Sequence, residues 1–253
     1  MNYLSVMLKK EWLENIRTHK SAAMLICGIF FGTLGPFTAL MMPDLMANLL
    51  PKNLRPIIPE PTYIDSYTQY FKNINQLGLV ILAFLFSGTL TQELAKGTLI
   101  NLITKGLSKT SVIVAKFGVL SFIWSLTYLA GSAVHYGYTL YYFNNKGLHK
   151  ITAYLGSWLF GLLLISLILL FSSLLKKNSA VLLGIFTVIV AFFLINFIKP
   201  IKDFSPLLLI QKQSDLLLGH FSLHHYQLLL LLVIALILMN LAAANLTFKR
   251  SEM

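Results

Sequence analysis

Six long apolar runs are the feature that most constrains how this 253-residue chain can fold. Each run is close to the roughly 20 residues that a helix needs to cross a hydrocarbon core. Only 11% of the residues are charged, 57% are hydrophobic, and a soluble domain of this length could not bury such runs in one core. The sequence therefore predicts an all-α polytopic membrane protein with six transmembrane helices, at about 22–42, 74–92, 112–135, 151–175, 179–198 and 223–247.

The distribution of Lys and Arg predicts the orientation of these spans. With both termini inside, 12 of the 20 basic residues fall on the inner side and 8 on the outer side, and the inner segments are shorter. Short basic segments resist translocation, which favours cytoplasmic N and C termini in the cell membrane. The net charge of +11 is then explained by topology and by attraction to membrane lipid. Nucleic acid is not an expected partner, because no soluble module with a basic face is present.

Residues 1–21 form the first of two predicted units, an amphipathic interfacial helix ahead of the six-span domain at 22–253. Apolar side chains recur at four-residue spacing, and charged side chains occupy the other faces: Leu4, Leu8, Trp12 and Ile16 against Lys9, Lys10, Glu14 and Arg17. This pattern predicts a helix in the membrane plane, with Trp12 at the headgroup level and a Lys10–Glu14 pair across one turn. The alternative is a solvated leader helix with no mechanical role. The first span is expected to stay attached, since no cleavage site follows a short apolar core.

A polar segment between the second and third spans carries its own helical pattern. Glu93 ends the second span, Gly97 allows a sharp turn, and Thr98 is a candidate cap for the next helix. One face of that helix is apolar and the other polar, with Leu99, Leu102, Ile103 and Leu107 opposed to Asn101, Thr104, Lys105 and Ser108. The pattern fits a lipid-anchored connector, and it equally fits an element that docks on a cytoplasmic partner. A carboxylate at this boundary is costly to leave unpaired, so Glu93 is expected to pair with a lysine or with the N-terminal helix.

Segments on the predicted outer side differ from one another. The five prolines in residues 43–73 favour an extended loop. Two groups of aromatic residues fit interfacial belts: Tyr63, Tyr67, Tyr70 and Phe71 in one, and Tyr136, Tyr138, Tyr141 and Tyr142 in a loop at 136–150. Leu207 to Leu218, within the outer segment 199–222, is too short and polar to cross and is expected to be re-entrant or surface-lying.

The sequence lacks the residue patterns that several classes of function require. No phosphate-binding glycine loop with its lysine occurs, so ATP hydrolysis would require another polypeptide. No ionisable residue lies at mid-span, which argues against a proton- or sodium-coupled carrier. His220, His224 and His225 are the best candidates for a membrane enzyme's metal ligands, but a surface cluster is the favoured interpretation. Cys27 is the single cysteine and is interpreted as a packing residue. We therefore expect no catalytic residue, no cofactor and no metal in this chain.

The order of these motifs resembles that of the membrane subunit of type-2 ABC exporters. The resemblance rests on Lys9-Lys10-Glu11-Trp12 and Arg17 before the first span, Glu93-x-x-x-Gly97-Thr98 after the second, and Ser108-Lys109-Thr110 with Lys116 at the third. It implies that the N-terminal helix is an elbow helix, with Lys9, Lys10, Trp12 and Arg17 as interfacial residues. It also implies that residues 97–108 are a coupling helix. The implied ATPase-coupling residues are Glu93, Gly97, Thr98, Leu99, Asn101, Leu102, Lys105 and Lys109.

The resemblance further implies the partners. They are two copies of an ABC ATPase subunit and a second permease subunit, identical or related, that completes the pathway. Glycines at 28, 32, 78, 88 and 184 would let that second subunit approach closely. The implied substrate is amphipathic or hydrophobic, such as a peptide, a drug or a lipid-like molecule. A polytopic membrane enzyme and a non-transporting anchor or sensor subunit remain the alternatives.

Overall fold

The computed structural model describes residues 3–49, 60–104, 106–175 and 177–250. Within these ranges the chain is helical and contains no β-strand. The helices are α1 (Tyr3–Arg17), α2 (Lys20–Leu49), α3 (Tyr63–Asn73), α4 (Leu79–Phe86), α5 (Thr91–Ala95), α6 (Thr98–Ile103), α7 (Lys109–Tyr142), α8 (Lys150–Leu174), α9 (Asn178–Ile195), α10 (Leu208–Gln211), α11 (Gln213–Leu217) and α12 (Leu223–Arg250). A π-helical turn at Ile74–Gly78 joins α3 to α4, and a 3₁₀ turn at Lys202–Phe204 precedes α10.

Six helical segments of the described chain are long and apolar enough to cross a membrane, which confirms the predicted all-α polytopic class. They are Lys20–Asn48, Tyr63–Ala95, Lys109–Tyr142, Lys150–Leu174, Asn178–Ile195 and Leu223–Arg250. The second span is built from α3, the π-helical turn, α4 and α5 in succession. The helix α1, the helix α6, the start of α9 and the end of α12 lie at one end of the bundle, which we call the Glu93 end. The α7–α8 connection and residues 199–222 lie at the opposite end.

The first span is longer than predicted because Pro43 does not end it. Both Pro36 and Pro43 lie inside α2, which continues to Leu49. Proline removes one backbone hydrogen bond, whereas leaving the helix in an apolar environment would expose many unpaired backbone groups. The prediction of an extended loop at 43–73 was therefore wrong for 43–49, and also for 63–73, which form α3. The loop prediction for residues 50–59 lies outside the described residues.

The first aromatic group is part of the core and does not form an interfacial belt. Tyr67, Tyr70 and Phe71 are buried, and Tyr70 stacks on His135 of α7 with ring centroids 4.3 Å apart. The second group was predicted in a loop starting at 136, but α7 stays helical to Tyr142. Its tyrosines are exposed there, with Tyr138 stacked on Tyr142. Spacing alone does not separate buried aromatic residues from interfacial ones, since both recur on one helical face.

The helices α2 and α7 approach each other closely through small residues. A Cβ atom added to Gly131 would lie 2.5 Å from the carbonyl oxygen of Gly28, and one added to Gly32 would meet the backbone of Gly131. Likewise, Gly184 faces the ring of Phe171 within the chain. Gly78 faces Ile74 of its own segment, and Gly88 faces Gln92 and Asn178. The expectation that these glycines serve contact with a second subunit was therefore wrong, because the chain's own helices occupy them.

The helix α8 is the centre of the bundle. It packs against α7, α9 and α12, and against the short helices α10 and α11. The predicted re-entrant or surface-lying piece corresponds to these two helices, whose Leu209, Leu216 and Leu217 are buried. Gln213, the first residue of α11, is 1% exposed and donates hydrogen bonds to the Ala153 carbonyl and the Ser157 hydroxyl. The segment is thus fixed to the inside of the bundle at the end opposite Glu93.

Candidate functional site

A second, smaller core gathers four parts of the chain at the Glu93 end. Its buried members come from α1, the segment 90–107, the start of α7 and the end of α12: Met7, Leu90, Leu99, Leu107, Val112, Ile113, Ala115, Ala244 and Phe248. Burial of this apolar surface holds α1 and α6 against the ends of the spans. The charged residues singled out from the sequence converge beside this core.

Lys116 is the centre of that charged group. It lies about two turns inside α7 and its side chain is 0% exposed. Its Nζ donates to Glu11 Oε1 at 2.9 Å and to the Thr89 carbonyl oxygen at 3.0 Å, and it lies 2.9 Å from Glu93 Oε2. The ammonium group thus donates two hydrogen bonds and forms an ion pair with Glu93. Lys116 therefore connects α7 to α1 and to the turn that precedes α5.

Lys10 forms a second bridge on the more exposed side of the same group. Its Nζ lies 2.9 Å from both Glu11 Oε1 and Glu14 Oε2, and it pairs with Glu93 Oε1. The predicted Lys10–Glu14 pair is present, and so is the ion pair predicted for Glu93. Two ammonium groups thus face three carboxylates, which leaves the five residues with a net charge of −1. We call Lys10, Glu11, Glu14, Glu93 and Lys116 the charge cluster.

Glu14 shows how these lysines act on a carboxyl group. Burial raises the pKa of Glu14, but the hydrogen bond and the charge of Lys10 outweigh it, with help from Lys116 and Lys20. The pKa of Glu14 therefore lies below its ordinary value, and the side chain is ionised at neutral pH. The three carboxylates, whose oxygens come within 4.8 Å of one another, could in principle hold a cation. The two ammonium groups already occupy that position, so the arrangement is an ion-pair network.

The face of α1 that packs on the protein is not the apolar face that the sequence analysis described. Met7, Glu11 and Asn15, at four-residue spacing, face the protein. Trp12 is half-buried with its ring edge on Phe122, and Ile16 is exposed. The Leu4–Ile16 face was predicted to lie against the membrane, and that stays a prediction; the face on α7 is the neighbouring one, which carries the ion pairs of Glu11. The two outer interfacial candidates, Lys9 and Arg17, are exposed.

The helix α6 lies between two left-handed glycines at the same end. Gly97 has φ +67° and Gly106 has φ +96°, conformations that favour glycine, so the turn predicted at Gly97 is present. The Thr98 hydroxyl donates to the carbonyl oxygen of Glu93 at 3.3 Å, so Thr98 binds the preceding turn and is not the predicted N-cap. Leu99 is fully buried, while Thr98 and Thr104 are exposed. Leu99 and the Thr98 hydroxyl therefore anchor the start of the helix.

The remaining coupling candidates divide into two groups. Lys109 donates to the carbonyl oxygen of Lys249 at 3.2 Å and lies over the Phe248 ring, which ties the start of α7 to the end of α12. Lys105 and the side chains of Asn101 and Leu102 lie outside the described part of the chain.

Glu11 and Lys116 belong to the quoted motifs, yet their direct contact was not predicted, because 105 residues separate them. No spacing in the sequence identifies this contact, because the apolar pattern of α1 runs along a different face.

A second polar group, without formal charge pairs, lies toward the opposite end. His135 is 0% exposed, and its Nδ1 lies 2.6 Å from the Tyr154 hydroxyl. Its Nε2 is within 3.3 Å of the hydroxyls of Ser66 and Thr139. His135 thus joins α3, α7 and α8 through neutral partners. The three candidate ligand histidines do not converge in this way, since His225 contacts the Asp203 carbonyl oxygen and His220 is exposed.

Comparison with known proteins adds one relative. No family model matches the chain. The chain is 24% identical over 158 residues to the uncharacterized transmembrane protein YxlG of Bacillus subtilis strain 168. The aligned part spans 62% of this chain and 61% of that relative's length. Together with the six apolar helical segments, this similarity supports a multi-pass membrane protein.

Proposed function

We propose that this chain is the permease subunit of an ATP-driven ABC exporter and forms half of its translocation pathway. A separate ATPase subunit, present in two copies, hydrolyses ATP, and a second permease subunit supplies the other half. The substrate is amphipathic or hydrophobic. The proposal places the Glu93 end, with both termini, in the cytoplasm at the cell membrane.

The observation that carries the proposal is the connection between α6 and the charge cluster. The helix α6 lies between Gly97 and Gly106, its Thr98 hydroxyl reaches the Glu93 carbonyl oxygen, and its Leu99 lies in the small core. The Glu93 side chain then pairs with Lys10 of α1 and Lys116 of α7. A displacement of α6 by a docked partner would therefore be passed to α1, α5 and α7 together.

The substrate class is supported by the neutrality of the interior. Lys116 and Glu93 are the charged groups buried within the described spans, and they pair with each other at the Glu93 end. Further along the bundle, the buried polar groups are neutral, with Ser157 bound to Asn75 and Gln213 as an example. Such surroundings favour an amphipathic or hydrophobic substrate over a small ion.

Site-specific crosslinking tests the docking of α6. In a Cys27→Ser background, we expect Thr104→Cys and Lys105→Cys to crosslink to the ATPase in the purified complex, with Asn101→Cys as a third position. Lys177→Cys, in the α8–α9 connection at the same end, is the matched control. Crosslinks only from the Lys177 position would show that α6 is not the docking element.

Glu93→Gln tests the coupling role. The substitution removes the carboxylate charge and keeps the size of the side chain, so the complex should assemble while transport-stimulated ATP hydrolysis falls. Lys212→Gln, which alters an exposed pair with Asp215, should leave both unchanged. Wild-type stimulation by a Glu93→Ala variant in reconstituted vesicles would remove the basis for coupling through this residue. Assembly without any transport of cargo by the wild-type complex would favour an anchor or sensor subunit.

A further inference from the structure

A continuous groove runs between α7 and α8 on the outside of the bundle. Its deeper part has a volume of about 350 Å³ and is lined by Ser125, Tyr128, Leu129, Leu155 and Trp158, among others. The polar atoms there already have partners, since Trp158 donates to the Ser125 hydroxyl and Tyr128 to the Tyr154 carbonyl oxygen. The groove therefore offers an apolar surface to a ligand.

The second part of the groove is wider and more polar. It has a volume of about 800 Å³ and shares Leu129, Ser132, Ile151 and Tyr154 with the deeper part. Its mouth adds Tyr136, His149, Lys150 and Thr152. The described residues that line the two parts include no acidic side chain. The Lys150 ammonium uses one donor on the Asn145 carbonyl oxygen, which leaves two for a ligand.

The position and length of the groove match one leaflet of a membrane. Ser125 lies at the midpoint of α7, and Tyr136 is 11 residues further along, about 16 Å at the rise of an α-helix. Half of a hydrocarbon core is about 15 Å. Along α7, the mouth is at about the same level as the exposed tyrosines Tyr138, Tyr141 and Tyr142, which suit the headgroup level. An acyl chain that reaches the midplane would thus put its headgroup at Lys150.

We propose that this groove is a binding site for one anionic phospholipid, whose acyl chain lies along Leu129, Leu155 and Trp158 and whose phosphate meets Lys150. The amino-terminal end of α8, whose first turn carries no acidic residue, adds a favourable helix dipole at the mouth. Tyr154 lines the groove and also contacts His135, so the occupied groove abuts the neutral network that joins α3, α7 and α8. This site is independent of the proposed exporter role.

Native mass spectrometry of the full chain in mixed micelles tests the site, with phosphatidylglycerol and phosphatidylcholine of equal chain length offered together. We expect phosphatidylglycerol to be retained preferentially. Lys150→Gln should reduce its retention about fivefold, the effect of one lysine near an anionic surface. Lys146→Gln, in the same connection but with an exposed side chain that does not line the groove, is the control and should change retention less than about twofold.

A second variant tests the apolar part without disturbing a buried side chain. Leu129 is 66% exposed, so Leu129→Trp should fill the groove and leave the fold intact. We expect it to lower phosphatidylglycerol retention about tenfold, equivalent to exposing roughly two methylene groups. Leu183→Trp on α9, equally exposed, is its control and should have no effect.

Three outcomes would overturn the assignment. The first is equal retention of the two lipids, and the second is unchanged retention in both groove variants. The third is displacement of phosphatidylglycerol by glycerophosphate, because the acyl chain would then contribute nothing.

Discussion

Removing Lys116 should destabilise the protein far more than removing an exposed lysine. Lys116→Met deletes the three contacts of a fully buried ammonium group, to Glu11, Glu93 and the Thr89 carbonyl. The charge cluster then changes from a net charge of −1 to −2, with Lys10 left to balance three carboxylates. Breaking a buried ion pair by removing one partner costs about 3–5 kcal/mol of the free energy of unfolding. Lys212→Met, at an exposed pair with Asp215, should cost about 0–1 kcal/mol.

A double variant separates the loss of a partner from the loss of packing. Glu11→Leu with Lys116→Met removes one charge of each sign, so the net charge of the cluster returns to −1. Replacing a buried pair by apolar side chains is often neutral or stabilising, so most of the loss should be recovered. The four variants form a cycle in which the coupling energy should reach about 2–3 kcal/mol, with opposite sign to the single losses.

The measurement is unfolding of the purified chain by SDS in mixed micelles, followed by tryptophan fluorescence. Trp124 is buried in the main core and Trp12 lies on α1, so the emission reports on both regions. A Lys116→Met midpoint equal to that of Lys212→Met would refute the reasoning. So would additive effects of Glu11→Leu and Lys116→Met, since the two charges would then not interact.

Three further predictions concern a close helix contact, one carboxyl group of the charge cluster, and ATP. Gly131→Ala should lower the free energy of unfolding by about 1–3 kcal/mol, because its Cβ would lie 2.5 Å from the Gly28 carbonyl oxygen. Gly137→Ala on the same helix meets nothing within 4 Å and should be neutral or stabilising. SDS unfolding compares the two variants, and equal losses of stability would contradict the close α2–α7 approach. Because the pKa of Glu14 is lowered in the folded chain, its contribution to stability is present above about pH 4.5 and is lost as the pH falls further. Glu14→Gln should remove this part of the pH dependence of the free energy of unfolding. An unchanged pH dependence in this variant would contradict the pairing. The chain purified alone should neither bind ATP saturably nor release phosphate; turnover that survives removal of contaminating ATPases would overturn the assignment of hydrolysis to a partner.

The spans were predictable because the physical signal is local. A run of about 20 apolar residues must satisfy its backbone internally, so it must be helical wherever it lies in the bundle. The ends of the spans were less predictable. Pro43 signals a break in water, whereas α2 continues through it to Leu49. Tyr136 signals an interface, yet α7 remains helical to Tyr142.

The candidate site was predictable only in part, because its contacts join distant segments. The turn at Gly97 and the partner of Glu93 follow from rules that act on single residues, namely backbone freedom and the cost of an unpaired carboxylate. The contact between Glu11 and Lys116 depends on how α1 docks on α7, and nothing in the spacing of either helix determines that. The prediction that the glycines contact a second subunit was wrong for the same reason. Small residues indicate close packing, but Gly28 and Gly32 do not identify the helix that packs on them.

The positions of Lys116 and His135 show how one long helix holds two kinds of polar group in an apolar surrounding. The helix α7 has 34 residues and is about 51 Å long, so about 10 Å extends past a 30 Å hydrocarbon core at each end when the helix is centred. Lys116 and His135 each lie seven residues, about 10 Å, from an end of α7, which is the depth of the core boundary. The charged partners of Lys116 are residues of α1 and α5, and the charge cluster they form has a net charge of −1. The partners of His135 at the other boundary are neutral hydroxyls of α3 and α8. Ion pairs between separate elements are sensitive to a shift of either element, whereas the neutral network is held by stacked rings around a single histidine. A movement that begins at α6 should therefore rearrange the ion pairs of the charge cluster and pass through Lys116 to α7, while the His135 network keeps α3, α7 and α8 together as one unit.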